Sequence, residues 1–363
     1  MKKLPWLMLL LLTLFAAHSF RGDKREVEQL RLAQTLGLDA APDGLLLTLA
    51  APATEDRPPL CLSAPGPSLS LALEQLRGRA GEEELFCGHL QQLLLGRAYA
   101  ERGLESLLSA VCRSTDLRLD MPVYLLPEGS ARQIMEALQT EDRGVCDLLK
   151  GLEGTDTGSL SSAGRILRDL DRQGSSLVRA LRLTEGDGAP SLEKAGYGVL
   201  VKGRLVSQID PELDAAVELL TGELRPCPLL LRDNQGRMVT LELQQGRTEL
   251  FPLWDESGAL EGLELRVQIQ AAVLEIGDFS QAADPRMLNA LTARLESELS
   301  GRLSRVLRLS AELQADFLGL GSRLELQAPL RCRGLGEDLG ALLPSLRLRV
   351  TVQGSLRHSN DLD

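Results

Sequence analysis

A chain of 363 residues has room for two or three domains with their own cores, at about 100–200 residues each. Its formal charge of −11, from 40 Lys and Arg against 51 Asp and Glu, repels nucleic acid and anionic lipid and excludes functions built on a basic patch. Aromatic residues are only 3%, so aliphatic side chains must fill the interior, and six scattered cysteines (61, 87, 112, 146, 227, 332) with no Cys-x-x-Cys pair exclude the common zinc and redox motifs.

Lys2-Lys3 followed by the apolar run Leu4 to Ala17 reads as an export signal or signal-anchor over residues 1–19. The run falls short of the roughly 20 residues that a spanning helix needs. Ala17 and Ser19 are small residues at the −3 and −1 positions of a cleavage site after Ser19. Export permits disulfides between some of the cysteines.

Leu30 to Asp39 and Leu45 to Ala50 flank Pro42-Asp43-Gly44 as a hairpin, and Ala51 to Ser68, with five prolines, reads as a loop. Ser68 to Arg79 is a helix with Leu69, Leu73 and Leu76 inward. His89 to Leu95 is an apolar strand closed by Gly96, and Leu104, Leu107, Leu108 and Val111 make the buried stripe of a helix. Leu117, Leu119 and Met121 alternate with Arg118 and Asp120 as a strand that Val123 to Leu126 extends, with Pro122 requiring an edge position or a bulge. Ser130 and Gln133 have capping-box spacing ahead of Ile134, Met135 and Leu138. Strand, helix, strand, helix in about fifty residues is a right-handed parallel crossover.

Ile166, Leu167 and Leu170 resume helical spacing toward Leu177, Val178 and Leu181. Glu185 to Ser191 is polar and rich in Gly and Pro, which marks a domain boundary. Tyr197 to Val201 and Leu205 to Ile209 form a hairpin, and Asp210-Pro211 starts a helix as N-cap and first residue. Leu229 to Leu250 forms strands around Asn234-Gln235-Gly236, and Leu263 to Val273 is a further strand. Asp284-Pro285 opens a long helix with the stripe Leu288, Leu291, Leu295, Leu299, Leu303 and Val306. Leu346, Leu348, Val350 and Val352 alternate with polar residues in a terminal strand. The fold class is mixed α/β (α+β), two to three small domains, each a mixed sheet packed with helices. Its divisions are the export segment 1–19, an N-terminal α/β domain 20–185, a middle hairpin-plus-helix subdomain 186–255 and a C-terminal α/β domain 256–363 with the long helix.

Chemistry leaves few marks. His89 is the one histidine outside the signal and the tail, and a lone histidine at a strand start reads as a structural hydrogen-bonding residue. Glu82-Glu83-Glu84 reads as a solvated run, and Thr155-Asp156-Thr157 as a solvated loop, since no phosphate-binding glycine motif accompanies it. No metalloprotease, nucleophile-elbow or dinucleotide motif occurs, so no catalytic, cofactor-binding or metal residue is assigned and the chain reads as a non-enzyme.

The order Gly-His-Leu, apolar strand, Gly96, amphipathic helix, DLRLDMPVYLL (116–126) and GSARQIMEAL (129–138) resembles the Ger(x)C family. These are the C subunits of the nutrient germinant receptors of endospore-forming bacteria. LGLDAAPDGLLLTLA (36–50), the stretch from Gly196 to Leu224, ELQADFLGLGSRL (312–324) and the terminal LPSLRLRVTVQGSLRHS resemble the same pattern in the same order. Family members carry a lipid-bearing cysteine before a sequence like that at 20–30, FRGDKREVEQL. Matched through Asp23, Arg25, Glu26 and Val27, Arg21 stands at the cysteine position, so no lipid is expected there.

The resemblance implies a non-catalytic germinant-receptor subunit that works by assembly and signal coupling. Its implied partners are an A-type and a B-type membrane subunit, at the outer face of the spore inner membrane. It further implies no cofactor and no high-affinity small-molecule pocket. The alternatives are an exported solute-binding protein, which requires a cleft between the halves with convergent polar groups, and a hydrolase with a dispersed acid pair.

Overall fold

The computed structural model describes residues 30–55, 57–80, 84–114, 117–139, 144–155, 161–186, 189–233, 236–276 and 285–358. The expected export segment, with Ser19 and Arg21, lies outside the described residues, as do Glu82, Glu83, Asp156, Thr157 and Asp284.

The first unit runs β1 (Leu30–Leu32), β2 (Thr35–Ala41), β3 (Gly44–Ala51), β4 (Leu60–Gly66), α1 (Leu69–Arg79), β5 (Glu84–Phe86), β6 (Gln92–Gly96), α2 (Arg97–Arg102), α3 (Glu105–Arg113), β7 (Val123–Leu126), α4 (Ala131–Ala137), α5 (Val145–Thr155), α6 (Ala163–Gln173), β8 (Ser175–Gly186), β9 (Ala189–Val201) and β10 (Arg204–Ile209). Eight of these strands form one sheet in the order β10-β9-β8-β7-β6-β2-β3-β4. Its centre is parallel, β2 on β6, β6 on β7 and β7 on β8, and its flanks are antiparallel hairpins. A parallel centre must be covered on both faces, which is why β6 and β7 read as unbroken apolar runs. Val123 and Leu125 pack with α1, α2, α3 and α6 on one face, while Tyr124 and Leu126 pack with α4 and α5 on the other.

The second unit starts with a 3-10 turn (Pro211–Leu213) and continues with α7 (Asp214–Thr221), β11 (Cys227–Arg232), β12 (Met238–Trp254), β13 (Leu260–Ile276), α8 (Pro285–Glu312), α9 (Leu320–Gln327), α10 (Leu335–Leu342) and β14 (Arg347–His358). Its sheet has the order β11-β12-β13-β14, with β14 parallel to β13 from Gly262↔Arg347 to Val273↔His358. Leu263, Leu265, Val267 and Ile269 of β13 meet Leu291, Leu295, Leu299 and Leu303 of α8 in one core. Leu177, Tyr197, Val199 and Ile209 of the first sheet belong to that same core, so the two units share an interior.

Four expectations need correction. Leu60–Gly66, read as loop, is β4, and Pro65 is tolerated because β4 is an edge strand. Residues 117–121 form no strand; Leu119 and Met121 instead offer their carbonyls to Gly164 N and Ala163 N at the start of α6, so the alternation there is coincidental. The helix expected to run on to Leu181 stops at Gly174, whose φ of 67° is left-handed, and Leu177, Val178 and Leu181 lie in β8. The boundary set at 185/186 falls within the sheet, since β8 and β9 pair continuously out to Gly186↔Ala189; the separate subdomain 186–255 is likewise cut across by both sheets. Polar Gly/Pro composition marks a hairpin tip as readily as a linker.

Candidate functional site

In an open α/β sheet a ligand is usually met at the C-terminal ends of the parallel strands. Here β2, β6 and β7 end together, and Asp39 of β2 occupies that edge. Its carboxylate accepts from Ala131 N at 2.7 Å and Arg132 N at 2.9 Å, the first amides of α4. A carboxylate suits the positive end of a helix. Ser130 and Gln133 complete the expected capping box beside it. Burial raises the Asp39 carboxyl above its ordinary value, while the two amide bonds pull it back. A side chain at Gly96 would run into Asp39 Oδ1. The edge is thus closed by the protein's own carboxylate.

The second concentration of charge lies between the units. α7 is apolar nearly all round, and Ala215 to Leu220 are all buried, as a helix sandwiched between layers must be. Its two acids face Arg179 of β8, which is 3% exposed. The guanidinium donates to Asp214 Oδ2 and Glu218 Oε1, each at 2.8 Å, and lies over the Tyr197 ring 3.9 Å from its centroid. Tyr197 Oη donates to Glu218 Oε1 at 3.3 Å. Asp210, expected to cap this helix, precedes the 3-10 turn and makes no side-chain capping bond.

One further tie crosses the same joint, and two further groups brace the second unit behind it. Arg165 of α6 pairs with Glu223, just after α7. Asp316, fully buried, accepts from Leu320 N at 2.9 Å and Gly321 N at 2.7 Å, and burial pushes its carboxyl up to about 7. Arg323 of α9 donates to Leu220 O at 2.5 Å and Thr248 O at 2.9 Å, fixing α9 to α7 and β12.

The residues considered for chemistry do not converge. His89 is exposed and hydrogen-bonds Gln91 at 3.0 Å. Thr155 ends α5 and Glu84 opens β5. No cluster of three metal-binding side chains occurs among the described residues. The six cysteines are unpaired, so the disulfides that export would permit are not formed. Burial pushes the Cys61 and Cys227 thiols up to about 11, away from a reactive thiolate. No helix among the described residues is long and apolar enough to cross a membrane.

A cavity of about 390 Å³ does exist, inside the first unit rather than between the halves. Leu36, Leu47 and Leu49 of β2 and β3 form its floor, and Leu69, Leu73 and Leu90 its walls. Five serines and Arg113 complete its lining, which is otherwise aliphatic apart from Cys87.

Sequence reasoning missed Asp39 and Arg179. The available signal was a charge inside a strand that is otherwise apolar, in TLGLDAA and SSLVRALRL, since such a charge is buried only with a partner.

Residues 23–182, which contain most of the eight-stranded unit, match the family described as the spore germination protein N-terminal domain. Over 384 aligned residues the chain is 20% identical to spore germination protein KC of Bacillus subtilis (strain 168), covering 93% of this chain and 91% of that one. The fold is that of the crystal structure of the GerBC protein, with a TM-score of 0.59 at 14% identity over 88% of this chain and 96% of that one. The matched N-terminal domain and the full-length likeness to a spore germination protein support kinship with the Ger(x)C family of spore germination proteins.

Proposed function

We propose that this protein is the non-catalytic C subunit of a nutrient germinant receptor, exported and held at the outer face of the spore inner membrane. There it assembles with an A-type and a B-type membrane subunit and couples their signal. The observation that carries this reading is similarity running through both units, over nine-tenths of a spore germination protein. The joint around Arg179 suits such a role. Two bodies, residues 30–209 and 210–358, share one core and a buried ion-pair node, so a push on one is carried to the other without a hinge.

Anchoring follows from residues 1–30. With Arg21 where the family pattern has a lipid-bearing cysteine, the alternatives are release, retention by an uncleaved signal, or a hold through partners alone. Mass spectrometry of the mature N-terminus separates cleavage after Ser19 from retention. The deciding experiment is co-expression with A- and B-type subunits encoded beside it, followed by affinity purification from detergent. Recovery of all three supports the assembly, and recovery of this chain alone overturns it.

A further inference from the structure

We infer that the cavity of the first unit binds a single aliphatic chain carrying an acidic head, with the chain against the leucine floor and the head at Arg113. The volume of about 390 Å³ lies in the range of small-ligand sites. The lining that meets the interior is aliphatic, without an aromatic platform for a ring.

Serines lie on both rims, Ser68 and Ser70 at the start of α1 and Ser106, Ser109 and Ser114 on and after α3, and Arg113 is the one charged residue of the lining. Ser106, Ser109 and Arg113 come from α3, where helical spacing places them near one another, and all three are exposed. Arg113 has no ion-pair partner among the described residues. An uncompensated guanidinium at the rim of an aliphatic cavity is complementary to a carboxylate or phosphate at the end of a hydrocarbon chain. Ala110, on the same helix, is the one alanine of the lining. The inference is independent of receptor assembly. The same chemistry is offered by a free fatty acid and by a single-chain phospholipid.

Calorimetric titration of the full chain with octanoate, decanoate, dodecanoate and a twelve-carbon lyso-phosphatidylglycerol, each below its micelle threshold, tests it. One saturable site is expected, with affinity rising about fourfold per methylene until the chain outgrows the cavity. Whichever of dodecanoate and the lysolipid binds more tightly identifies the source. Ala110→Phe, which fills the space, is expected to weaken dodecanoate at least tenfold. Arg113→Glu, at an exposed position outside the core, is expected to weaken dodecanoate about tenfold and to favour dodecylamine. Absence of saturable heat, affinity independent of chain length, or unchanged binding by a folded Ala110→Phe protein overturns the cavity as the site. An unaltered head-group preference in Arg113→Glu overturns the acidic head.

Discussion

The two units solve the problem of a buried sheet in opposite ways. The first wraps a parallel centre with short helices on both faces, so β6 and β7 carry almost no polar side chain. The second lays one long helix, α8, on one face of a largely antiparallel sheet and leaves the other wet. On that wet face Arg266 pairs with Glu264 and lies over Phe251, and Arg247 pairs with Glu249. A sheet with one solvated face keeps a clean alternation, while one buried on both sides does not. The contrast teaches where charge carries weight: at Asp39 and at the joint it is buried and committed, and on the outer face of the second sheet it is available to a partner.

That contrast can be broken at its strongest point by Arg179→Ala. Buried Glu218 and half-buried Asp214 would lose their counter-ion, and removal of one partner of a buried pair costs about 3–5 kcal/mol. Urea unfolding is expected to show a lower midpoint and still a single transition, because the core is shared; two separate transitions would show that the units fold independently. Asp39→Ala, confined to the first unit, removes two charge-assisted bonds to α4 and is expected to cost about 2–3 kcal/mol by the same measurement.

Asp316 sharpens the comparison through pH. Its carboxyl is near 7 in the fold against 3.8 ordinarily, so the folded state holds a proton that the unfolded chain has released between those values. The stability it contributes is complete at low pH and is lost as pH rises toward 7. Thermal midpoints of the wild type are therefore expected to lose ground from pH 4 to pH 7 relative to Asp316→Asn, with the difference constant above that window. Smallest of all, Arg266→Ala on the wet face is expected to leave the unfolding midpoint unchanged, so that any loss of partner recovery it causes reports on contact rather than folding.

Much of the fold was legible because pattern and environment agreed. The turn at Lys202-Gly203, both residues with positive φ, the capping box at Ser130 and the stripe of α8 lie where their residues place them. The failures share one cause: local pattern yielded to tertiary partners. Leu177, Val178 and Leu181 keep helical spacing from Leu170, yet Gly174 ends the helix and β7 and β9 claim the segment from both sides. Leu119 and Met121 alternate like a strand but serve the first amides of α6. The joint was invisible for the same reason. Arg179 and Glu218 lie on a strand and a helix whose meeting depends on how two sheets stack, which no window of sequence contains.

One consequence concerns the order of assembly. β13 must wait for β14, its parallel neighbour, until α8, α9 and α10 have been threaded between them, since Gly262 finds Arg347 only across that whole excursion. Closing so wide a loop is slow, whereas β2 with β3 and β8 with β9 zip from adjacent chain. Until that closure β13 has β12 alone as a neighbour, so the free edge of β13 is the part of the sheet that depends most on the trailing strand.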